Sequence, residues 1–88
     1  MKLVIMCVRD RAVDAFGIPM FMTHVGQGVR SFSDEVNNEK SPMHAHPDDY
    51  DLYVVGSYND EDGSFECHPP RQVSVGKECV KIKELSRA

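Results

Sequence analysis

The amino-acid sequence predicts an α+β fold, a small antiparallel or mixed sheet of three to five strands with one short helix packed on one face. Three observations carry that expectation. Residues 2–9 form an apolar run between two cations, rich in β-branched side chains. Residues 50–58 alternate with period two. Between them Val29, Phe32 and Val36 recur at i, i+3 and i+7, the stripe of a helix rather than a strand.

The first run has no polar face, so it reads as a strand buried on both sides and central in its sheet. Residues 10–14 are polar and turn-like. Residues 16–22 are apolar but contain Pro19, whose missing N–H confines the segment to an edge strand or an extended arm. Gly26-Gln27-Gly28 punctuates the chain, and a helix is expected over 29–37. Arg30 and Asp34 stand four apart and are spaced to pair on its flank. Asn37-Asn38 stops it, and Ser41-Pro42 confirms the break.

Residues 43–49 read as a loop in which His46-Pro47-Asp48 turns before the next strand. In that strand Tyr50, Leu52, Val54, Gly56 and Tyr58 share one face, with Tyr53 and Val55 on the other. Residues 59–63 signal a hairpin, with Gly63 suited to positive φ. Residues 64–68 return as a strand with Phe65 and Cys67 on one face, and Pro69-Pro70 ends it. Residues 73–75 and 80–83 alternate again, the pattern of one or two short strands.

At 88 residues the chain is sized for a single domain, residues 1–88, with a core over 1–68 and a C-terminal segment over 69–88. A domain of this size buries only roughly 60–65% of its unfolded surface, so a homodimer is expected to supply further burial. Disulfides are not the expected route. Cys7, Cys67 and Cys79 are odd in number and lack CxxC spacing, and they read as reduced thiols, with Cys7 a small core residue. The apolar start is too short for a secretory signal, and no run reaches the roughly 18–20 residues that cross a bilayer, so no membrane partner is expected.

Charge bears on function. Ten Lys and Arg oppose fourteen Asp and Glu, a net charge of −4, which is not the balance of a strongly basic nucleic-acid binder. The distribution is uneven. Six acidic residues and no Lys or Arg lie over 44–62, while Lys2, Arg9, Arg11 and Arg30 sit outside that stretch. An acidic protein can still present a basic face, because binding responds to local potential.

Several constellations are set against plainer readings. His44 and His46, followed by Asp48 and Asp49, offer metal-ligand chemistry, but a structural zinc site needs four ligands from two elements, and the polar turn accounts for them. No metal or cofactor is expected. Asp60, Asp62 and Gly63 fit three positions of a calcium loop, yet Tyr58 and Pro69 fall where carboxylates are required. Cys67 and His68 are neighbours on a strand, so their side chains point apart and cannot form a thiolate–imidazole pair. The Gly26/Gly28 pair lacks the third glycine of a dinucleotide site. An enzyme is therefore not expected. The combination that favours nucleic acid is cations beside aromatics. Arg9 and Arg11 end the first strand, and Phe21, Tyr53 and Tyr58 lie on sheet or arm segments, where the competing reading makes them core.

Several segments occur in a familiar order: Val8-Arg9-Asp10, the Pro19-containing aromatic arm, Val29-Arg30-Ser31-Phe32-Ser33-Asp34-Glu35-Val36-Asn37, His46-Pro47-Asp48-Asp49-Tyr50, and the stretch from Leu52 to Asp60. Together they resemble the small nonstructural protein of gokushoviruses, the single-stranded DNA bacteriophages of the Microviridae. The resemblance spans residues 1–65; the stretch from Cys67 onward matches nothing in it. It implies a viral protein acting in the cytoplasm of the bacterial host, linked to single-stranded genome synthesis or packaging, and it supplies no catalytic residues. Two functions follow as expectations. The first is a single-stranded DNA-binding module using Arg9, Arg11 and Arg30 with Tyr53 or Phe21. The second is a protein-interaction factor that binds a viral or host replication protein through residues 43–50 and 59–63 without touching DNA.

Overall fold

The computed structural model describes residues 1–81. Its centre is a five-stranded antiparallel sheet. Strand β1 (Lys2–Asp10) pairs along its length with β4 (Tyr50–Asn59), and β4 pairs with β5 (Ser64–Val75). The other edge of β1 takes two short strands, β2 (Ala15–Phe16) and β3 (Met20–Met22). The apolar run is thus central, and the Pro19 segment is an edge arm, as the sequence predicts. Helix α1 (Val25–Val36) and two four-residue helices, α2 (Pro42–Ala45) and α3 (Gly76–Cys79), complete an α+β fold.

The core lies between the sheet and the helices. Met6, Phe32, Val36, Leu52 and Val54 are buried together, and residues of all three helices pack against them. Helix α1 begins four residues before the expected start and contains Gly26 and Gly28. The reason is packing. A Cβ at Gly28 would fall on the Met6 side chain, so the glycine admits the helix to the sheet instead of breaking the chain. Asn37 closes α1 as expected, and it also ties the C-terminal segment down. Its Nδ2 donates to the Ser33 and Cys79 carbonyls, and its Oδ1 accepts from the Lys81 N–H.

Three further expectations are corrected. Residues 43–49 hold the expected turn before the strand, as a 3₁₀ turn over Pro47–Asp49, but what precedes it is helix α2 rather than loop, capped by Ser41, which accepts from the Met43 N–H. Pro69-Pro70 does not end its strand. Residues 68–70 of β5 face the single residue Val55, and this bulge on an edge strand accommodates the missing N–H groups while the ladder resumes at Arg71. Residues 73–75 are the end of β5, where Val73 joins the core. Val80 and Lys81 lie in no strand, and the rest of that alternation lies outside the described residues.

The last correction concerns faces. The β1–β4 register shifts between Ile5 and Met6, so that Val55 is an extra residue in β4. Before the bulge, Leu52 and Val54 face the core. After it Tyr58 pairs with Leu3, on the opposite side of the sheet. Simple alternation puts Tyr58 with Leu52; the bulge turns it away.

Candidate nucleic-acid interface

The side of the sheet without helices carries Leu3, Ile5, Cys7 and Arg9 from β1, alternating with the core residues Val4, Met6 and Val8. Ile5 and Cys7 are buried here although no described helix covers them. Aromatic rings from the flanking strands do so. Phe21 stands beside Ile5, Tyr53 beside Cys7, and Tyr58 beside Leu3. Burial also pushes the Cys7 thiol above its ordinary value.

The rings form two groups. Phe21, Tyr58 and Phe65 meet with centroid separations of 5.7, 6.4 and 4.8 Å. Phe16 and Tyr53 meet edge-on at 5.3 Å. These are the offset and edge-to-face arrangements that ring quadrupoles favour. Each ring shields its neighbour only in part: Phe16, Phe21 and Phe65 remain 45%, 48% and 57% exposed, a large share for phenylalanine.

Arg9 lies at the Phe16–Tyr53 end. Its guanidinium sits 5.9 Å from the Phe16 centroid and pairs with Asp14. Asp14, and after it Tyr53, hold the guanidinium above its already high ordinary value, so it is a permanent cation. The other end is acidic. Asp60, Glu61 and Asp62 form the β4–β5 hairpin tip, where Gly63 adopts φ 76° and returns its N–H to the Asn59 carbonyl. Two of these carboxylates are paired: the Met1 ammonium lies 2.8 Å from Asp60 Oδ1 and 3.1 Å from Glu61 Oε1.

The five candidate residues do not all meet. Arg9, Tyr53 and Phe21 share this face. Arg11 lies just beyond its end and is engaged: Nε is 3.2 Å from Asp51 Oδ2, and the guanidinium also donates to the Asp48 carbonyl. Asp51 is 2% exposed, so Arg11 neutralises a buried carboxylate. Arg30 is exposed on α1, across the sheet from the rings, and the pairing with Asp34 expected from their spacing is not formed. Phe16 and Phe65 complete the ring set and were not named from the sequence. Phe16 stands two residues before a strand-breaking Ile-Pro, and Phe65 shares one face with Cys67, but alternation within its short strand does not say which side of the sheet that face is.

The helix side carries two shallow clefts. One, of about 300 Å³, is apolar and lined by Val8, Met20, Phe32 and Met43. The other, of about 390 Å³, lies by Val25, Glu66, His68 and Arg71. Among the described residues no group of three or more His, Cys, Asp or Glu is disposed to hold a metal; His44 instead donates from Nδ1 to the Val36 carbonyl. No described helix is long and apolar enough to cross a membrane.

A family model described as Phage ORF5 protein matches residues 3–79, from the start of β1 to the end of α3. No curated protein matches the chain, and no solved structure matches it.

Proposed function

The chain belongs to the Phage ORF5 protein family, and from that premise we propose that it is a non-enzymatic accessory factor that binds single-stranded DNA through the helix-free face of its sheet. The observation that carries the reading is the ring set Phe16, Phe21, Tyr53, Tyr58 and Phe65 on one open sheet face, with Arg9 at its end. Bases stack on such rings whatever their sequence, and a guanidinium meets the phosphate. Duplex DNA hides its base faces in the stack, so exposed rings favour the single strand. The resemblance to the gokushovirus protein makes a single-stranded genome in the host cytoplasm the natural ligand, during its synthesis or packaging. A homodimer, adding burial to a small domain, belongs to the same proposal.

The test is fluorescence anisotropy with labelled single-stranded and double-stranded DNA at low and physiological salt. Single-strand preference and a fall in affinity with salt are expected. Phe21→Ala and Phe65→Ala should each weaken binding by about 1–3 kcal/mol. Arg9→Glu should abolish it. Arg30→Glu, across the sheet, should leave it unchanged, and equal losses at Arg9 and Arg30 would refute the face.

A second reading is favoured by the net charge of −4 and by the carboxylates at 60–62: a factor that binds a basic viral or host replication protein. Capture of a partner that survives nuclease treatment, with no DNA binding at low salt, would select it.

A further inference from the structure

Resting on the DNA-binding reading, we infer that Asp14 is a built-in competitor for the ligand's phosphate: its carboxylate occupies the Arg9 guanidinium at the end of the aromatic face, and the phosphate group of a bound strand displaces it.

Four observations support this. The Arg9–Asp14 pair joins a strand residue to the turn that follows it, and Asp14 is otherwise well exposed. Asp14 adopts φ 53°, the only non-glycine residue with positive φ among those described, so the turn holds a conformation that L residues seldom adopt. Asp10 Oδ1 accepts from the Ala12 N–H and the Gly17 N–H donates to the Val8 carbonyl, which ties the turn down on both sides. The guanidinium held by Asp14 is also the one lying over Phe16 beside Tyr53. A carboxylate and a phosphate present the same pair of acceptor oxygens to a guanidinium fork. Arg11, the next cation, is committed to Asp51 and the Asp48 carbonyl. Of these two arginines, Arg9 is therefore the one that can change partners without uncovering a buried charge.

The exchange needs no backbone rearrangement, because Asp14 is on the surface and water receives it. Its consequence is selectivity. A ligand that supplies rings alone must leave Arg9 with Asp14, whereas one that supplies rings and a phosphate at the Phe16 end gains the guanidinium. The competitor lowers affinity for every anion that uses Arg9, and a ligand that also stacks bases recovers the loss through the rings.

The experiment compares Asp14→Asn with Asp34→Asn, using a labelled oligothymidylate and anisotropy at low salt. Both substitutions remove one negative charge, but Asp34 lies on α1, on the other side of the sheet. Asparagine tolerates positive φ, so the turn is kept, and matching urea midpoints would confirm it. Loss of a competing surface ion pair should tighten binding about two- to fivefold for Asp14→Asn, with a much smaller gain for Asp34→Asn. Equal gains would mean that only net charge matters and would overturn the inference while leaving the DNA-binding face intact. No binding by the wild type or by either variant would overturn the face itself and this inference with it.

Discussion

Asp51 and Arg11 show how a single residue can be necessary without being part of a binding face. Asp51 sits on β4 beside Arg9, is almost wholly buried, and its Oδ1 has no hydrogen-bond partner among the described residues; Oδ2 meets Arg11. A buried carboxylate without a countercharge is costly, and here the half-exposed Arg11 supplies it. Arg11→Ala should therefore destabilise the fold by about 1–3 kcal/mol, less than for a wholly buried pair because solvent reaches the guanidinium. Adding Asp51→Asn should restore part of the loss, since the orphaned charge is gone. Urea denaturation of both variants checks this. The sequence displayed both charges and placed Arg11 at a strand end, but their forty-residue separation concealed that they were partners. The same holds for Arg9 and Asp14 in reverse: they are near in sequence, and only the turn's unusual backbone brings the carboxylate back onto the guanidinium.

At the scale of elements, β4 is the organising strand, and its irregularities explain most of what the sequence left open. Two departures from regular pairing coincide at Val55, one against β1 and one against β5, and the pairing with β5 shifts again between Leu52 and Tyr53. The first sends Tyr58 to the ring side. The second makes room for Pro69 and Pro70. Gly56 follows them as a glycine because β5 presses on it: a Cβ there would come within 2.4 Å of the Glu66 carbonyl oxygen and 3.0 Å of Cys67 Cα. Backbone atoms in a ladder cannot step aside cheaply. Gly56→Ala should cost about 1–3 kcal/mol, read from urea midpoints, and should weaken amide-exchange protection in β5 before β1. Strand identity was legible from period-two alternation, and the helix from its period-3.6 stripe. The bulges were not, because a period-two pattern carries no mark at which its phase shifts. Gly28 was similarly misread, since a glycine at a helix–sheet contact and a glycine at a chain break look alike in one dimension.

The whole molecule has one sheet with two unlike sides. Among the described residues, helices cover one, and rings roof the other. That asymmetry supports the binding reading, and it leaves stability to a small core between helices and sheet. Tyr50 packs at the edge of that core. Burial first, then Asp10 and Asp49, raise its hydroxyl above the ordinary value of 10.0. A raised acid is kept neutral by the fold, so its contribution is fully present below the unfolded value and is lost as pH rises through the higher folded one. Stability should fall above about pH 10, and Tyr50→Phe should flatten that limb in urea melts taken across alkaline pH.

What the sequence alone determined are the quantities set by local periodicity and composition: an α+β fold, β1 at the sheet's centre, the arm at its edge, the hairpin at Gly63 and the helix stripe. Each depends on neighbours within a few residues, and the side chains there carry the signal. Arg9, Phe21 and Tyr53 were singled out on the same basis. What only the tertiary structure decided is which side each aromatic faces, that Arg30 lies across the sheet from Arg9, and that residues 69–79 continue the sheet and close the core. Those outcomes turn on a one-residue shift of register and on contacts between segments forty or more residues apart. A register shift reverses every later side chain without altering a single residue type, so the sequence holds the rings, and the fold decides that they stand together.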